Sequence, residues 1–136
     1  MQRSDQFRER DRHDLHSHAQ SGHRLQHLLP LIASDGFLRG AKNVLLTLGG
    51  AGAYFSNGER LWFARRAFEV EVRSMVCAGG SSLAAFLSIW SSERDRVEDA
   101  LRRSMATGAN VVECAGLGDF ARVEEYEKGI EVRLVK

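Results

Sequence analysis

A chain of 136 residues suffices for one domain, which can bury roughly two-thirds of the surface its unfolded form exposes. Lys and Arg total 19 against 18 Asp and Glu, a net charge of +1, which argues against a nucleic-acid binder or a reader of acidic substrates. The two cysteines, Cys77 and Cys114, lack Cys-x-x-Cys spacing, there is no signal-peptide pattern, and no apolar run nears the ~20 residues of a membrane span. The expectation is therefore a reducing, cytoplasmic setting with neither membrane nor nucleic acid as partner.

Residues 1–24 differ from the rest. Their apolar residues are Met1, Phe7, Leu15 and Ala19, set among Arg3, Arg8, Arg10, Arg12 and Arg24 and the acids Asp5, Glu9, Asp11 and Asp14. Such a segment buries too little apolar surface to offset its ordering entropy, so it reads as a poorly ordered tail. His13, His16, His18, His23 and His27 lie here or just beyond; His23 and His27 would share a helix face, but no Cys or fixed carboxylate completes a set, and no metal is expected.

One domain is expected over residues 25–136. Pro30 predicts a helix start, with an end near Gly40. Asn43 to Leu48 is a continuous apolar run suited to a strand buried on both faces, as in a parallel sheet. Gly49 to Gly52 turns the chain, and the strands Ala53–Ser56 and Arg60–Ala64 flank the hairpin signal Asn57-Gly58. Phe68 to Arg73 alternates apolar and charged residues with period two, as a half-buried strand does.

A helix is expected from Ser82 to about Trp90, and another behind Ser92 as N-cap, with Asp95 in the capping-box position and a buried stripe of Val97, Ala100, Leu101 and Met105. Gly108 loosens its end and Val111-Val112 reads as a short strand. Asp119 caps a last helix through about Glu127, Gly129 stops it, and Ile130 to Leu134 alternates as a final strand. The result is an α/β domain, a mixed sheet with flanking helices.

Between the alternating run and the first strong helix lies Val76-Cys77-Ala78-Gly79-Gly80-Ser81-Ser82. Small residues there let the backbone bend and approach a ligand, and the amides and positive dipole end of a helix's first turn favour an anion such as phosphate.

This stretch resembles the signature of the PfkB/ribokinase carbohydrate kinases, roughly Val-Gly-Ala-Gly-Asp-Ser, and within that family the 1-phosphofructokinase-like members. The resemblance covers roughly residues 36 to 136. Arg39 to Ala53 looks like the family's strand entering a Thr-x-Gly-x-x-Gly nucleotide loop, here Thr47, Gly49 and Gly52; Asn57-Gly58-Glu59-Arg60 looks like its hairpin. Ala106-Thr107-Gly108-Ala109, followed by Gly116-Leu117-Gly118, looks like its closing helix and loop near the adenine. Alone, the Gly49–Gly52 loop fits either a phosphate loop or a plain tight turn.

The resemblance implies the C-terminal half of a ribokinase-like fold, an anion hole at Cys77, Ala78, Gly79 and Gly80, and nucleotide contacts at Thr47, Gly49, Gly52, Ala106 and Ala109. It also implies Mg-ATP and a sugar phosphate as ligands. Two positions depart: Cys77 stands for the family's first Gly, and Gly80 stands where the catalytic Asp would be. A glycine cannot accept a proton, and a positioned base contributes about 10²–10⁴-fold, so weak or no turnover is expected.

The family's sugar-binding half, lid and Asn-x-x-Glu motif precede the matched part, for which this chain has no room; Asn110-Val111-Val112-Glu113 fits that motif by letter only. Lineage thus implies a truncated sugar-phosphate kinase. The alternatives are a non-catalytic nucleotide-binding or subunit-interaction module, or a degenerate gene fragment. Without the preceding strands, the Asn43–Leu48 edge invites self-association or a complementing chain.

Overall fold

The computed structural model describes residues 40–114 and 118–135. The tail expected over residues 1–24, the helix expected from Pro30, and Gly116-Leu117 lie outside the described residues. The chain divides at Ala41, and every described strand and helix belongs to the unit from Lys42 onward.

Four strands, β1 (Val44–Thr47), β2 (Ala53–Ser56), β3 (Leu61–Arg66) and β4 (Ile130–Leu134), form a sheet in the order β1-β2-β3-β4. Every neighbouring pair is antiparallel. The helices are α1 (Ala78–Trp90), α2 (Val97–Glu113) and α3 (Val123–Glu127), the last preceded by a 3₁₀ turn, Phe120–Arg122. The α/β class and both strands around Asn57-Gly58 follow the sequence; the parallel pairing expected of Asn43–Leu48 does not. Only the short Gly49–Gly52 connection separates β1 from β2, with Thr47 opposite Ala53. Parallel neighbours need a crossover of a dozen or more residues, so such a link dictates a hairpin. Among the described residues β1 is a half-buried edge, not a strand covered on both faces.

The second hairpin turns through four residues. Asn57 uses its side chain as the turn's acceptor, taking hydrogen bonds from the amides of Glu59 (3.0 Å) and Arg60 (2.8 Å), while Gly58 sits at φ +91°, where a side chain would be strained.

Phe68 to Arg73 forms no strand. The place beside β3 is taken by β4, so the segment's backbone turns to the helices: Arg73 N–H and Ser74 N–H donate to the Val112 carbonyl (2.8 and 3.2 Å), and Ala67 N–H donates to Gly129 O (2.8 Å). The Val112 carbonyl lies in the last turn of α2, where helix geometry leaves it without an intrahelical donor.

The second helix also begins later than expected. The amides of Ser91, Ser92 and Glu93 donate back to Leu87 and Ile89, so Ser92 closes α1 and cannot open α2, and Asp95 precedes the helix. Arg96 is the N-cap without a side-chain cap bond; Glu98 and Asp99 in the first turn complement the helix dipole instead. Val111-Val112 is helix, not strand. The buried positions 97, 100, 101, 104, 105, 111 and 112 continue one helical stripe past Gly108. The last helix expected behind Asp119 is divided: Asp119 caps the 3₁₀ turn, accepting from Ala121 N–H (3.3 Å), and α3 follows.

The core lies between one sheet face and the helices. Ala53, Phe55, Trp62 and Ala64 of the sheet meet Phe86 of α1 and Val97, Ala100, Leu101, Met105, Ala106 and Ala109 of α2. Phe55 is central, its ring centroid 4.9 Å from Phe86, 5.6 Å from Trp90 and 5.8 Å from Trp62.

Candidate anion-binding site

A turn at Val76-Cys77 leads into a helix, as the sequence suggests, but α1 begins at Ala78 rather than at Ser82, so Ala78, Gly79 and Gly80 form its first turn. Cys77 is the N-cap of α1 and adopts φ +67°, ψ −1°, the left-handed conformation; it is the only non-glycine residue with positive φ among the described residues. Such a conformation costs an ordinary residue roughly 1–2 kcal/mol and costs glycine almost nothing. Cys77 therefore holds the backbone bend at a cost in strain. The Cys77 carbonyl accepts the first helical bond, from Ser81 N–H (2.9 Å), and Ala78 N–H leans on Met75 O (3.4 Å).

The amides left by helix geometry without an intrahelical acceptor are those of Gly79 and Gly80. Neither glycine has any atom within 4 Å of where a Cβ would stand. Both glycines are exposed, and a side chain at Gly80 would meet no obstruction.

Two buried contacts fix this turn against α2. Ser104 Oγ donates to the Ser82 carbonyl (2.9 Å), and Gly108 lets α2 approach so closely that an added Cβ would lie 2.5 Å from Ser82 Oγ. Gly108 is thus a packing residue inside a helix that runs on to Glu113, where the sequence suggested a loosened end.

The other expected site residues are placed differently. Thr47 ends β1 and is exposed, and Gly49–Ala51 is a 3₁₀ turn closed by Leu48 N–H to Gly52 O (2.8 Å) and Ala51 N–H to Leu48 O (3.1 Å). Gly49 at φ +57° and Gly52 at φ +119° hold left-handed positions. A Cβ on Gly52 would collide with Ala64 O and the Phe63 ring, so this turn is pressed on β3. Ala106 and Ala109 are 0 % and 3 % exposed and packed in the core. They shape the interior and offer no surface to a nucleotide in this arrangement. No hydrogen bond among the described residues joins the Gly49–Gly52 turn to the Cys77–Gly80 turn.

Arg66 is a residue the sequence reasoning missed. Its Nη2 would stand 3.2 Å from a Cβ on Gly50, beside the glycine turn, and no carboxylate partners it among the described residues. Other arginines are engaged: Arg65 with Glu131 (2.8 Å), Arg96 with Glu93 (2.9 Å) and Asp99 (3.0 Å), Arg103 with Glu127. The available signal was the hairpin register, which returns the end of β3 to the level of the β1–β2 turn. Among the described residues, no three His, Cys, Asp or Glu side chains converge on a metal.

A model of the pfkB family carbohydrate kinases matches residues 33–123. The chain belongs to that family. D-tagatose-1-phosphate kinase of Klebsiella oxytoca is 47% identical over 93 residues, which are 68% of this chain and 30% of that protein. Among solved structures, a candidate phosphofructokinase from Staphylococcus aureus superposes with a TM-score of 0.66 at 22% identity, covering 72% of this chain and 31% of that one. A candidate 1-phosphofructokinase from Thermotoga maritima gives 0.58 at 12% identity, with the same two coverages. At such identities the likeness speaks to the fold, which is ribokinase-like. This PfkB chain spans about a third of the length of these relatives.

Proposed function

We propose that this chain is the nucleotide-side part of an ATP-dependent, 1-phosphofructokinase-like sugar-phosphate kinase, holding phosphate at the first turn of α1 with little or no turnover. The observation that carries the reading is the left-handed Cys77 cap, which opens a helix whose first-turn glycines, Gly79 and Gly80, are exposed. Backbone donors at a helix start bind phosphate whatever side chains flank them. Arg66 beside the Gly49–Gly52 turn adds a cation suited to a second phosphate. In phosphoryl transfer the protein contributes mainly position and charge, with a base to take the hydroxyl proton. At Gly80 no atom can take that proton, which favours a second reading as a nucleotide-binding module without catalysis.

A thermal melt with and without Mg-ATP tests this reading, because a ligand selective for the folded state stabilises it by RT ln(1 + [L]/Kd). A cooperative transition that rises with Mg-ATP, and rises less in Arg66→Ala, is expected. A transition indifferent to millimolar Mg-ATP would refute nucleotide binding.

A further inference from the structure

The sheet ends on β4, a strand of unbroken register with β3 on one side and no strand on the other among the described residues. Val135 N–H donates to Leu61 O (2.7 Å) and Ala67 N–H to Gly129 O (2.8 Å), so residues 129, 131, 133 and 135 turn their backbone groups toward β3. Alternation along the strand then points the N–H and C=O of Val132 and Leu134 the other way, off the edge of the sheet. Val132 is half-buried and Leu134 is 52 % exposed. Exposed edges are commonly blunted by proline, lysine or a bulge, and β4 carries none of them.

The side chains of β4 complement a reversed copy of the strand. In antiparallel pairing centred on Val132, the outward backbone groups of Val132 bond to those of its own counterpart. Glu131 then stands opposite the partner's Arg133, and Arg133 opposite the partner's Glu131. Arg133 has no carboxylate partner among the described residues and lies over the Phe63 ring at 5.3 Å. Glu131 meets Arg65 through Oε2 (2.8 Å) at an exposed site, which leaves its other oxygen to a second chain. On the opposite face of the strand Leu134 comes to the partner's Ile130, part of an open cleft lined also by Arg102, Glu124, Glu127 and Lys128. A two-fold interface requires such self-complementarity, and a net charge of +1 opposes association hardly at all.

We infer that the outer edge of β4 docks a second copy of this chain, joining two four-stranded sheets antiparallel about Val132, with Glu131–Arg133 pairs on one face and Leu134 against Ile130 on the other. The edge differs from β1, where the sequence suggested self-association, and its use does not depend on nucleotide binding.

Sedimentation velocity on the full chain over a wide concentration range tests it, with a cooperative melt of each variant to show that it is folded. A monomer–dimer equilibrium is expected, weakened about tenfold or more by Arg133→Glu, which sets like charges opposite each other twice. Glu131→Arg weakens it in the same way. An equimolar mixture of these two variants should associate to within a few-fold of the original chain, because both cross-strand pairs regain opposite charges in the mixed dimer. Leu134→Lys, at a position exposed in the single chain, should leave a folded monomer. A monomer of the original chain at every concentration would overturn the inference. So would an assembly that ignores Arg133→Glu and Leu134→Lys, or a weakening that mixing the two charge variants does not relieve.

Discussion

At the scale of single residues, the two positions read from the sequence as departing from the family signature sit in opposite structural settings. Cys77 occupies a backbone position that prefers glycine, whereas Gly80 occupies one that would accept almost any side chain. Gly80 is the third residue of α1, where a carboxylate gains from the helix dipole and a glycine loses helix propensity. Gly80→Asp is therefore expected to stabilise the fold, by about 0.5–1.5 kcal/mol, read as a rise in the chemical denaturation midpoint with unchanged slope. A drop in that midpoint would mean the first turn is more crowded than the open surroundings of Gly80 indicate. The fold thus leaves room for a carboxylate at Gly80. Cys77 was legible as a substitution, but its left-handed conformation was not, since a cysteine carries no sign of positive φ.

At the scale of elements, what could be read depended on whether the partner was local. The Asn57-Gly58 hairpin, the turn into a helix at Cys77 and the Gly129 stop are specified by neighbouring residues, and all were legible. Phe68–Arg73 was misread because its alternation fits a strand equally well with or without a neighbour, and β4, arriving from the far end of the chain, took the place beside β3. Gly108 was misread because a glycine that ends a helix and one that admits another helix look alike in sequence. Here the contact with Ser82 decides between them, and with it how α1 sits on α2. Gly108→Ala forces Ser82 Oγ to move and weakens its neighbour bond from Ser104 to the Ser82 carbonyl, a cost of about 1–3 kcal/mol. Thermal unfolding checks this: a lowered Tm is expected, relieved in part by Ser82→Gly in the same chain. An unchanged Tm would show that α1 and α2 are not held at this distance.

At the scale of the whole molecule, the sheet and its helices are tied together at their far end by Tyr126. Its ring packs edge-on against Phe68 at 5.7 Å and its hydroxyl donates to Glu113 of α2. Burial, followed by the hydrogen bond to Glu113, raises the Tyr126 hydroxyl above its ordinary value near 10. A raised value in the folded state means that the neutral phenol is favoured there. Its contribution to stability is fully present below about pH 10 and is lost as pH rises through the folded value. The difference in unfolding free energy between the native chain and Tyr126→Phe should thus be constant at neutral pH and shrink above about pH 10. A difference that stays constant into strong alkali would remove Tyr126 from the linkage.

The claim on which the functional account rests is that the first turn of α1 binds phosphate through its backbone. Amide-resolved NMR of the full chain titrated with Mg-ATP addresses it directly. The account predicts saturable shifts concentrated at Gly79 and Gly80, with a second group at Gly49 and Gly50. Shifts absent from Gly79 and Gly80, with the fold intact, would contradict it.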